Sequence, residues 1–213
     1  MILLTGFEPF GGGTTNPSWT AVTQARTLLE SDGLAVAAVE LPCVFGESAS
    51  VLRGALDEFR PELAICVGQA GGRERISLER VAINCDDARI PDNAGKQPVD
   101  AEVVAGGPAA YFSSLPIKAA LHAINVAGIP AEVSQTAGTY VCNHIFYTLM
   151  HQLHSRPGAR GGFIHVPFEP SQLPQGRSTP AMRVELMAQA LAVVVRTALV
   201  TTVDIRMAAG ATH

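Results

Sequence analysis

The sequence predicts an α/β protein, a three-layer α/β/α sandwich around a mostly parallel, mixed sheet. Short apolar runs of strand length, such as Ile2–Thr5 and Leu63–Val67, alternate with segments whose apolar residues recur at helical spacing. Such alternation is typical of proteins whose buried strands are covered by helices on both faces. The 213 residues contain no internal repeat or linker, so we expect a single domain over residues 1–213.

The predicted elements follow from local signals in chain order. Asn16-Pro17 marks the start of the first helix, because asparagine is a good N-cap and proline fits the first helical position. A second helix stops before Pro61, and Gly128 closes a third. Strands are predicted at 2–5, 34–41, 63–67, 77–84, 131–135 and 161–167, and helices from 17, at 51–59, at 116–127, from 142 and at 180–200.

Three segments fit no regular element. Residues 85–108 form a long irregular stretch, which is expected to be functional, disordered or an assembly arm. Residues 168–179 are predicted to form a loop, and the tail after Thr201 is expected to be poorly anchored.

Composition excludes several classes of protein. The formal net charge is −4 and the basic residues are scattered, which argues against nucleic-acid binding. No apolar run approaches the roughly 20 residues of a membrane span, and the start lacks a basic signal-peptide region, so a cytoplasmic protein is expected. Only 16% of the residues are charged, which leaves room for subunit contacts. The four cysteines have no metal-binding spacing, and Cys43 and Cys66 are interpreted as packing residues.

Cys142 stands at the predicted start of a helix, after a strand and an Ala-Gly-Thr turn. A thiol there meets the positive end of the helix dipole and unpaired backbone N–H groups, which favour the thiolate. A second segment places His165 near the end of a buried strand. Cysteine with histidine suggests covalent acyl chemistry, whereas an isolated buried cysteine is most often only a small apolar residue.

Four loops rich in chemically useful residues follow predicted strands, after Thr5, Val67, Gln135 and Val166. Sites in open α/β sheets gather at the carboxyl ends of the strands. The sequence therefore favours an enzyme with a site at that edge.

Several motifs in register give the chain a resemblance to a known family. They are TGFEPFGG at 5–12, NPSW at 16–19, GQAGGR at 68–73, ERVAIN at 79–84, DDARIPDN at 86–93, SQTAGTYVCNH at 134–144 and GFIHVP at 162–167. Together they resemble pyroglutamyl-peptidase I, a family of cysteine exopeptidases. Two departures are Tyr140, where phenylalanine is often expected, and 168–171, which bears on the outer rim and on leaving-peptide preference.

The resemblance implies hydrolytic removal of an N-terminal pyroglutamyl residue from peptides. It implies a triad with Cys142 as nucleophile, His165 as general base and acid, and Glu79 as the residue that orients the imidazole. It also implies no metal, no cofactor and a homo-oligomer, often a tetramer or dimer. Spacing alone does not select Glu79, because Glu74, Asp86 and Asp87 are acidic and nearby.

A neutral lactam needs an apolar pocket with a few hydrogen-bonding groups. Phe7 and Phe10, three residues apart, are candidates to clamp the ring, although aromatics in such a loop often only pack on the domain. The oxyanion of the tetrahedral intermediate needs hydrogen-bond donors, and the Cys142 backbone N–H is the natural first one. Arg89 is a candidate second donor, or an ordinary salt-bridge residue. The remaining candidates for substrate binding are Asn16, Gln69, Ile90, Tyr140 and Val141.

The other histidines are poorer candidates for the base. Two positions along a helix turn a side chain by roughly 200°, so His144 is expected to point away from Cys142. His144, His151 and His154 are expected on a polar helix face. His122 is interpreted as structural, and His213 lies in the tail.

Three alternatives remain open. The first is a cysteine amidohydrolase with the same triad but a different acyl group, such as a glutamine amide. The second is a phosphate- or nucleotide-binding module, but the glycine-rich loops lack the G-x-x-x-x-G-K-[ST] and dinucleotide patterns. The third is a catalytically idle family member that serves as an oligomeric scaffold.

Overall fold

The structure is a computed structural model that describes residues 1–173 and 178–210. Its strands are β1 (Ile2–Phe7), β2 (Val36–Leu41), β3 (Leu63–Gln69), β4 (Ile76–Glu79), β5 (Val81–Ile83), β6 (Ala110–Phe112), β7 (Ala131–Ser134) and β8 (Arg160–Val166). Its α-helices are α1 (Pro17–Ser31), α2 (Glu47–Phe59), α3 (Ile117–Val126), α4 (Val141–His154) and α5 (Val184–Val200). A 3-10 turn spans Pro170–Gln172.

Six strands form the main sheet in the order β2-β1-β3-β8-β4-β7, and β5 and β6 form a separate ribbon. The pairs among β2, β1, β3 and β8 are parallel, whereas β4 pairs antiparallel with β8 and parallel with β7. The predicted α/β class with a mostly parallel, mixed sheet is therefore confirmed.

Apolar side chains on the two faces of the sheet form two separate cores. One core joins the sheet to α1, α3 and α5, and the other joins it to α2 and α4. The strands β1 and β3 are buried along almost their whole length, as expected of strands covered on both faces. The three layers that the sequence predicts thus follow from continuous apolar strands that helices cover on both faces.

The start of α1 confirms the capping signal. Asn16 Oδ1 accepts a hydrogen bond from Ser18 N at 3.1 Å, and Pro17 occupies the first helical position. Ser18 Oγ in turn accepts a hydrogen bond from Phe7 N at 3.0 Å, which ties the helix to the end of β1. The loop between β1 and α1 is thereby fixed at both ends.

The direction of β7 corrects one expectation. Because β4 and β7 run opposite to the other four strands, the end of β7 does not share an edge with the ends of β1, β3 and β8. Residues 135–140 carry the chain back to that edge, where α4 begins at Val141. The loop after Gln135 thus reaches the site by doubling back.

The long segment at 85–108 packs on the loop that follows β2. The carboxylate of Asp92 accepts hydrogen bonds from Phe45 N at 2.8 Å and from Lys96 N at 2.8 Å. Lys96 Nζ donates to Phe45 O at 3.0 Å, and Asn93 N donates to Cys43 O at 3.1 Å. This segment lies against its own chain beside the site.

The tail is anchored, contrary to the expectation. Asp204 accepts hydrogen bonds from Lys118 N at 3.0 Å and Ala119 N at 2.9 Å, and so caps the start of α3. Met207 and Ala209 pack on the core beside α5. His213 and residues 174–177 of the predicted 168–179 loop lie outside the described residues. No helix among the described residues is long and apolar enough to cross a membrane.

Candidate active site

Cys142 is the second residue of α4, at the end of the helix where backbone N–H groups have no intrahelical acceptor. Its sulfur lies against β3 at Gly68. A Cβ atom added to Gly68 would lie 2.7 Å from Cys142 Sγ and 2.8 Å from Phe163 Cζ. Any side chain at this position would therefore force the thiol or the Phe163 ring to shift.

His165 lies near the end of β8 and contacts Glu79, the last residue of β4. His165 Nδ1 is 2.7 Å from Glu79 Oε1, and both side chains are buried. The two strands are antiparallel neighbours, with Ser77 opposite His165, so the pair forms across adjacent strands. The imidazole is therefore held by a carboxylate at Nδ1, and its Nε2 has no hydrogen-bond partner among the described residues.

Arg73 binds the same carboxylate oxygen. Its Nη1 donates to Glu79 Oε1 at 2.7 Å, and its Nη2 donates to Thr136 O at 3.1 Å. Glu79 Oε2 is buried and has no hydrogen-bond partner among the described residues. Two cationic or polar donors thus share one oxygen of a fully buried carboxylate.

The buried environment favours neutral forms of both reactive groups. Burial raises the pKa of the Cys142 thiol, and the charge of Glu79 adds to the rise while that of Arg73 opposes it. Burial lowers the pKa of His165, although its hydrogen bond to Glu79 works in the opposite direction. Burial thus acts against the thiolate that the helix start is expected to favour, and it acts against the imidazolium as well.

Cys142 and His165 line one cavity of about 460 Å³. Its wall is largely apolar, with Phe7, Phe10 and Cys43 among its members, and the polar side chains that reach it are mostly amides and guanidinium groups. No aspartate or glutamate lines the cavity in the part of the chain that the structure describes, because Glu79 lies behind His165. This cavity is the candidate active site.

Comparison with known proteins agrees with this geometry. The family model described as pyroglutamyl peptidase matches residues 1–201. The chain belongs to the pyroglutamyl peptidase family. The pyrrolidone-carboxylate peptidase of Klebsiella pneumoniae (strain 342) is 55% identical over 212 residues, which cover 100% of this chain and 99% of the relative.

Solved structures show the same fold. A crystal structure of the pyroglutamyl peptidase I from Bacillus amyloliquefaciens matches with a TM-score of 0.91 and 48% identity, over 97% of this chain and 98% of the other. A mutant pyrrolidone carboxyl peptidase from the hyperthermophile Pyrococcus furiosus matches with a TM-score of 0.84 and 41% identity. The match covers 93% of this chain and 97% of the other. The pyroglutamyl peptidase fold therefore extends over nearly the whole chain.

Seven of the eight residues predicted to bind substrate line the cavity of this pyroglutamyl peptidase family member. They are Phe7, Phe10, Asn16, Gln69, Arg89, Tyr140 and Val141. The structure does not place Ile90 in this cavity: its side chain is 46% exposed and lines two neighbouring cavities. A position next to a site residue in sequence need not face the site when the segment is irregular.

Three aromatic residues, Phe7, Phe10 and Tyr140, line the cavity. Phe7 is buried beneath it, and the rings of Phe10 and Tyr140 lie 6.3 Å apart. Tyr140 also packs edge-on against Phe45, at 5.4 Å between ring centroids, and donates a hydrogen bond to Pro91 O at 3.1 Å. The hydroxyl of Tyr140 is therefore held by the 85–108 segment.

The polar residues have different freedom to meet a ligand. Both amide groups of Asn16 are already hydrogen-bonded: Oδ1 accepts from Ser18 N, and Nδ2 donates to Glu8 O at 2.9 Å. Its hydrogen-bonding role is therefore structural. Gln69 Oε1 accepts a hydrogen bond from Gln172 at 2.9 Å, which orients the Gln69 amide. Arg89 is exposed at the rim, and the described residues include no ion pair of its guanidinium.

His144 corrects a prediction, because it is buried rather than on a polar helix face. Its Nδ1 lies 2.7 Å from Asp86 Oδ2, and its Nε2 accepts a hydrogen bond from Gly46 N at 3.2 Å. His144 thus has its own carboxylate and does not line the cavity. His122, expected to be structural, is exposed; His154 is exposed as predicted, and His151 is half-buried against Tyr111.

Two residues at the cavity were not predicted there. The contact of Arg73 with Glu79 was not predicted from the sequence. The available signal was that a buried carboxylate needs a compensating donor, and Arg73 is six positions from Glu79. Cys43 is buried, as a packing residue should be, but it also lines the cavity; burial raises the pKa of its thiol to about 12. Cys66 is fully buried and does not line the cavity, which confirms its packing role.

Proposed function

We propose that this protein hydrolyses the peptide bond after an N-terminal pyroglutamyl residue, with Cys142 as nucleophile, His165 as base and acid, and Glu79 as the residue that orients His165. The observation that carries the proposal is the placement of the thiol and the Glu79-paired imidazole in one mostly apolar cavity. Membership of the pyroglutamyl peptidase family indicates that the acyl group of the substrate is pyroglutamyl.

The lining of the cavity suits a neutral lactam. An ordinary aminopeptidase must hold a free α-ammonium, which requires a carboxylate, and the lining residues described include none. A pyroglutamyl residue has no ammonium. Its ring packs on the apolar surface that the Phe10 and Tyr140 side chains form together, and its amide meets Gln69 and backbone groups.

The chemical steps follow from the neutral thiol and imidazole. His165 takes the proton of Cys142 as the sulfur attacks the pyroglutamyl carbonyl, which forms a tetrahedral intermediate. The Cys142 N–H at the start of α4 donates to the oxyanion, and Arg89 provides a second donor. His165 then protonates the departing amine. The thioester is hydrolysed by a water that His165 activates, and this step releases pyroglutamate and restores the thiol.

Glu79 and Arg73 act through His165. Glu79 fixes the tautomer with the proton on Nδ1, so that Nε2 is free to accept the proton of Cys142. Arg73 orients the Glu79 carboxylate through a charge-assisted hydrogen bond. Arg73 is therefore a positioning residue in this mechanism.

Hydrolysis of pyroglutamyl-aminomethylcoumarin tests the proposal, with the glutaminyl and alanyl analogues measured in parallel. We expect release from the pyroglutamyl compound, and a loss of at least about 1,000-fold in kcat/KM for Cys142→Ser, because the serine hydroxyl is far less acidic than the thiol.

Cys85→Ser is the matched control, because Cys85 does not line the cavity; we expect it to keep wild-type activity. Retained turnover in Cys142→Ser would overturn the assignment of the nucleophile. Faster release from the glutaminyl compound would show that the substrate carries an open amide rather than a pyroglutamyl group, as in the amidohydrolase alternative.

The proposal extends to the state of the protein in the cell. We propose one domain, a homo-oligomer and a cytoplasmic location. Exposed apolar side chains such as Val126, Val200 and Val203 support subunit contacts, and four free cysteines suit a reducing compartment. Light scattering after size-exclusion chromatography tests the oligomer, and a monomer at micromolar concentration would contradict it.

A further inference from the structure

A second cavity of about 680 Å³ adjoins the candidate active site, and we call it the outer groove. It lies between the loop after β1 and the loop after β8, and it shares Phe10 and Gln69 with the active-site cavity. Its other lining residues are Gly11, Gly12, Gly13, Thr14, Thr15, Ile90, Phe168, Ser171 and Gln172. The two cavities are therefore neighbours that meet at Phe10 and Gln69.

The position of His165 decides which way a leaving peptide must run. His165 protonates the departing amine, so that nitrogen lies beside the end of β8. Phe168 follows His165 by three residues, a distance of at most about 10 Å along an extended chain. The first or second residue after the scissile bond is thus within reach of Phe168 and the outer groove.

The walls of the outer groove are held in place by specific contacts. Phe168 fills the space over Gly71, where any side-chain carbon would clash with its ring. Gln172 Nε2 donates to Gln69 Oε1 at 2.9 Å and to Thr15 O at 3.2 Å, and Gln172 Oε1 accepts from Glu169 N at 2.9 Å. One amide thus links the loops after β1, β3 and β8.

Among the residues that the structure describes, those that line the outer groove carry no formal charge. Three apolar side chains, those of Phe10, Ile90 and Phe168, face hydroxyls, amides and glycine backbone. A smaller cavity of about 300 Å³ lies on another side of Ile90 and contains Asp87 and Arg89. The outer groove therefore suits an uncharged apolar or aromatic side chain, whereas the smaller cavity suits a charged one.

We propose that the outer groove binds the leaving peptide and favours substrates with an apolar or aromatic residue directly after the pyroglutamyl group. This inference rests on the proposed function, because it places the leaving side of the same substrate. Phe168 is the principal contact, and Gln172 positions the groove against the catalytic cavity.

Competition between two peptides tests the proposal. They are pyroglutamyl-phenylalanyl-alanine amide and pyroglutamyl-glycyl-alanine amide, and the readout is the ratio of their kcat/KM values. We expect wild-type protein to favour the phenylalanyl peptide by about tenfold, and Phe168→Ala to reduce that preference by roughly fivefold. Phe112→Ala is the matched control, since Phe112 is 70% exposed and lies on β6 away from both cavities.

Ser171→Glu provides a second variant in case Phe168→Ala fails to fold, because Ser171 is exposed. The added carboxylate should raise the ratio of kcat/KM for a lysyl over a glutamyl peptide by roughly five- to tenfold. If Ser171→Glu left the lysyl-to-glutamyl ratio of kcat/KM unchanged, the outer groove would not be the leaving-peptide site. A change of that ratio in Asp87→Asn instead would also overturn the proposal. Failure of wild-type protein to cleave any pyroglutamyl peptide would instead overturn the proposed function.

Discussion

Glu79 Oε1 accepts two hydrogen bonds at 2.7 Å, one from His165 Nδ1 and one from Arg73 Nη1. Glu79 and Arg73 have opposite effects on the imidazole. The carboxylate stabilises the imidazolium form, whereas the nearby guanidinium destabilises it. The proton affinity of His165 is thus set by the balance between Glu79 and Arg73, and burial places the pKa of His165 below its ordinary value.

The pH dependence of kcat/KM should report this balance. Because burial lowers the pKa of His165, the acid limb of wild-type protein should lie below about pH 6.5. Glu79→Gln removes the negative charge and should move the limb to lower pH, with a large fall in kcat. Arg73→Gln removes the positive charge and should move the limb to higher pH. The measurement is kcat/KM for pyroglutamyl-aminomethylcoumarin between pH 4 and 9, a range of about five units around the unperturbed value.

Arg73→Lys separates charge from shape in this experiment. It retains the positive charge, so its acid limb should stay close to that of wild-type protein, although kcat should fall because lysine cannot reproduce both guanidinium contacts. Shifts in the same direction for Glu79→Gln and Arg73→Gln would contradict the proposed balance.

At the scale of elements, the site depends on how closely α4 approaches β3. Cys142 Sγ lies where a Gly68 side chain would be, and the sulfur is thereby held between the start of the helix and the sheet. The precision of this contact matters because a misplacement of about 1 Å at a reacting atom can reduce a rate by about 100-fold. The absence of a side chain at Gly68 is thus part of the site.

Gly68→Ala should therefore reduce kcat/KM by about 100-fold while the protein stays folded. The added methyl group would meet the Cys142 sulfur and the Phe163 ring, so one of them must shift. Gly54→Ala is the matched control: no atom lies within 4 Å of its added carbon, and alanine favours a helix interior by about 1 kcal/mol. Wild-type activity in folded Gly68→Ala protein would show that the contact does not position the thiol.

The residues after α5 show how one polar side chain can anchor a segment that has no regular secondary structure. Asp204 accepts the N–H groups of Lys118 and Ala119 at the start of α3, and this cap holds the residues after α5 against the protein. From its sequence alone, the tail after Thr201 is expected to be poorly anchored. The partner is a helix start some 86 residues away, which local pattern does not reveal.

At the scale of the whole molecule, apolar periodicity predicted the layers and most elements correctly. The buried runs of β1 and β3 and the apolar stripe of α1 are local properties, so they can be found without the fold. The direction of β7 was not predicted, because strand polarity depends on how distant segments pair. Motif resemblance, rather than spacing, selected Glu79 among the nearby acids.

The histidines show the limit of sequence reasoning for the site. His144 and His165 each lie 2.7 Å from a buried carboxylate, yet only His165 lines the cavity that contains Cys142. Asp86 is 58 residues from His144, and Glu79 is 86 residues from His165. Such pairings, and the contact of Arg73 with Glu79, arise only when the chain is folded.

The most direct test of the central claim is covalent labelling with a pyroglutamyl chloromethyl ketone, followed by peptide mapping by mass spectrometry. The account predicts one label per chain on Cys142, loss of activity in step with labelling, protection by free pyroglutamate, and no label in Cys142→Ser. Activity that persists after complete labelling of Cys142, or a label on Cys43 or Cys85 that accompanies the loss of activity, would contradict it.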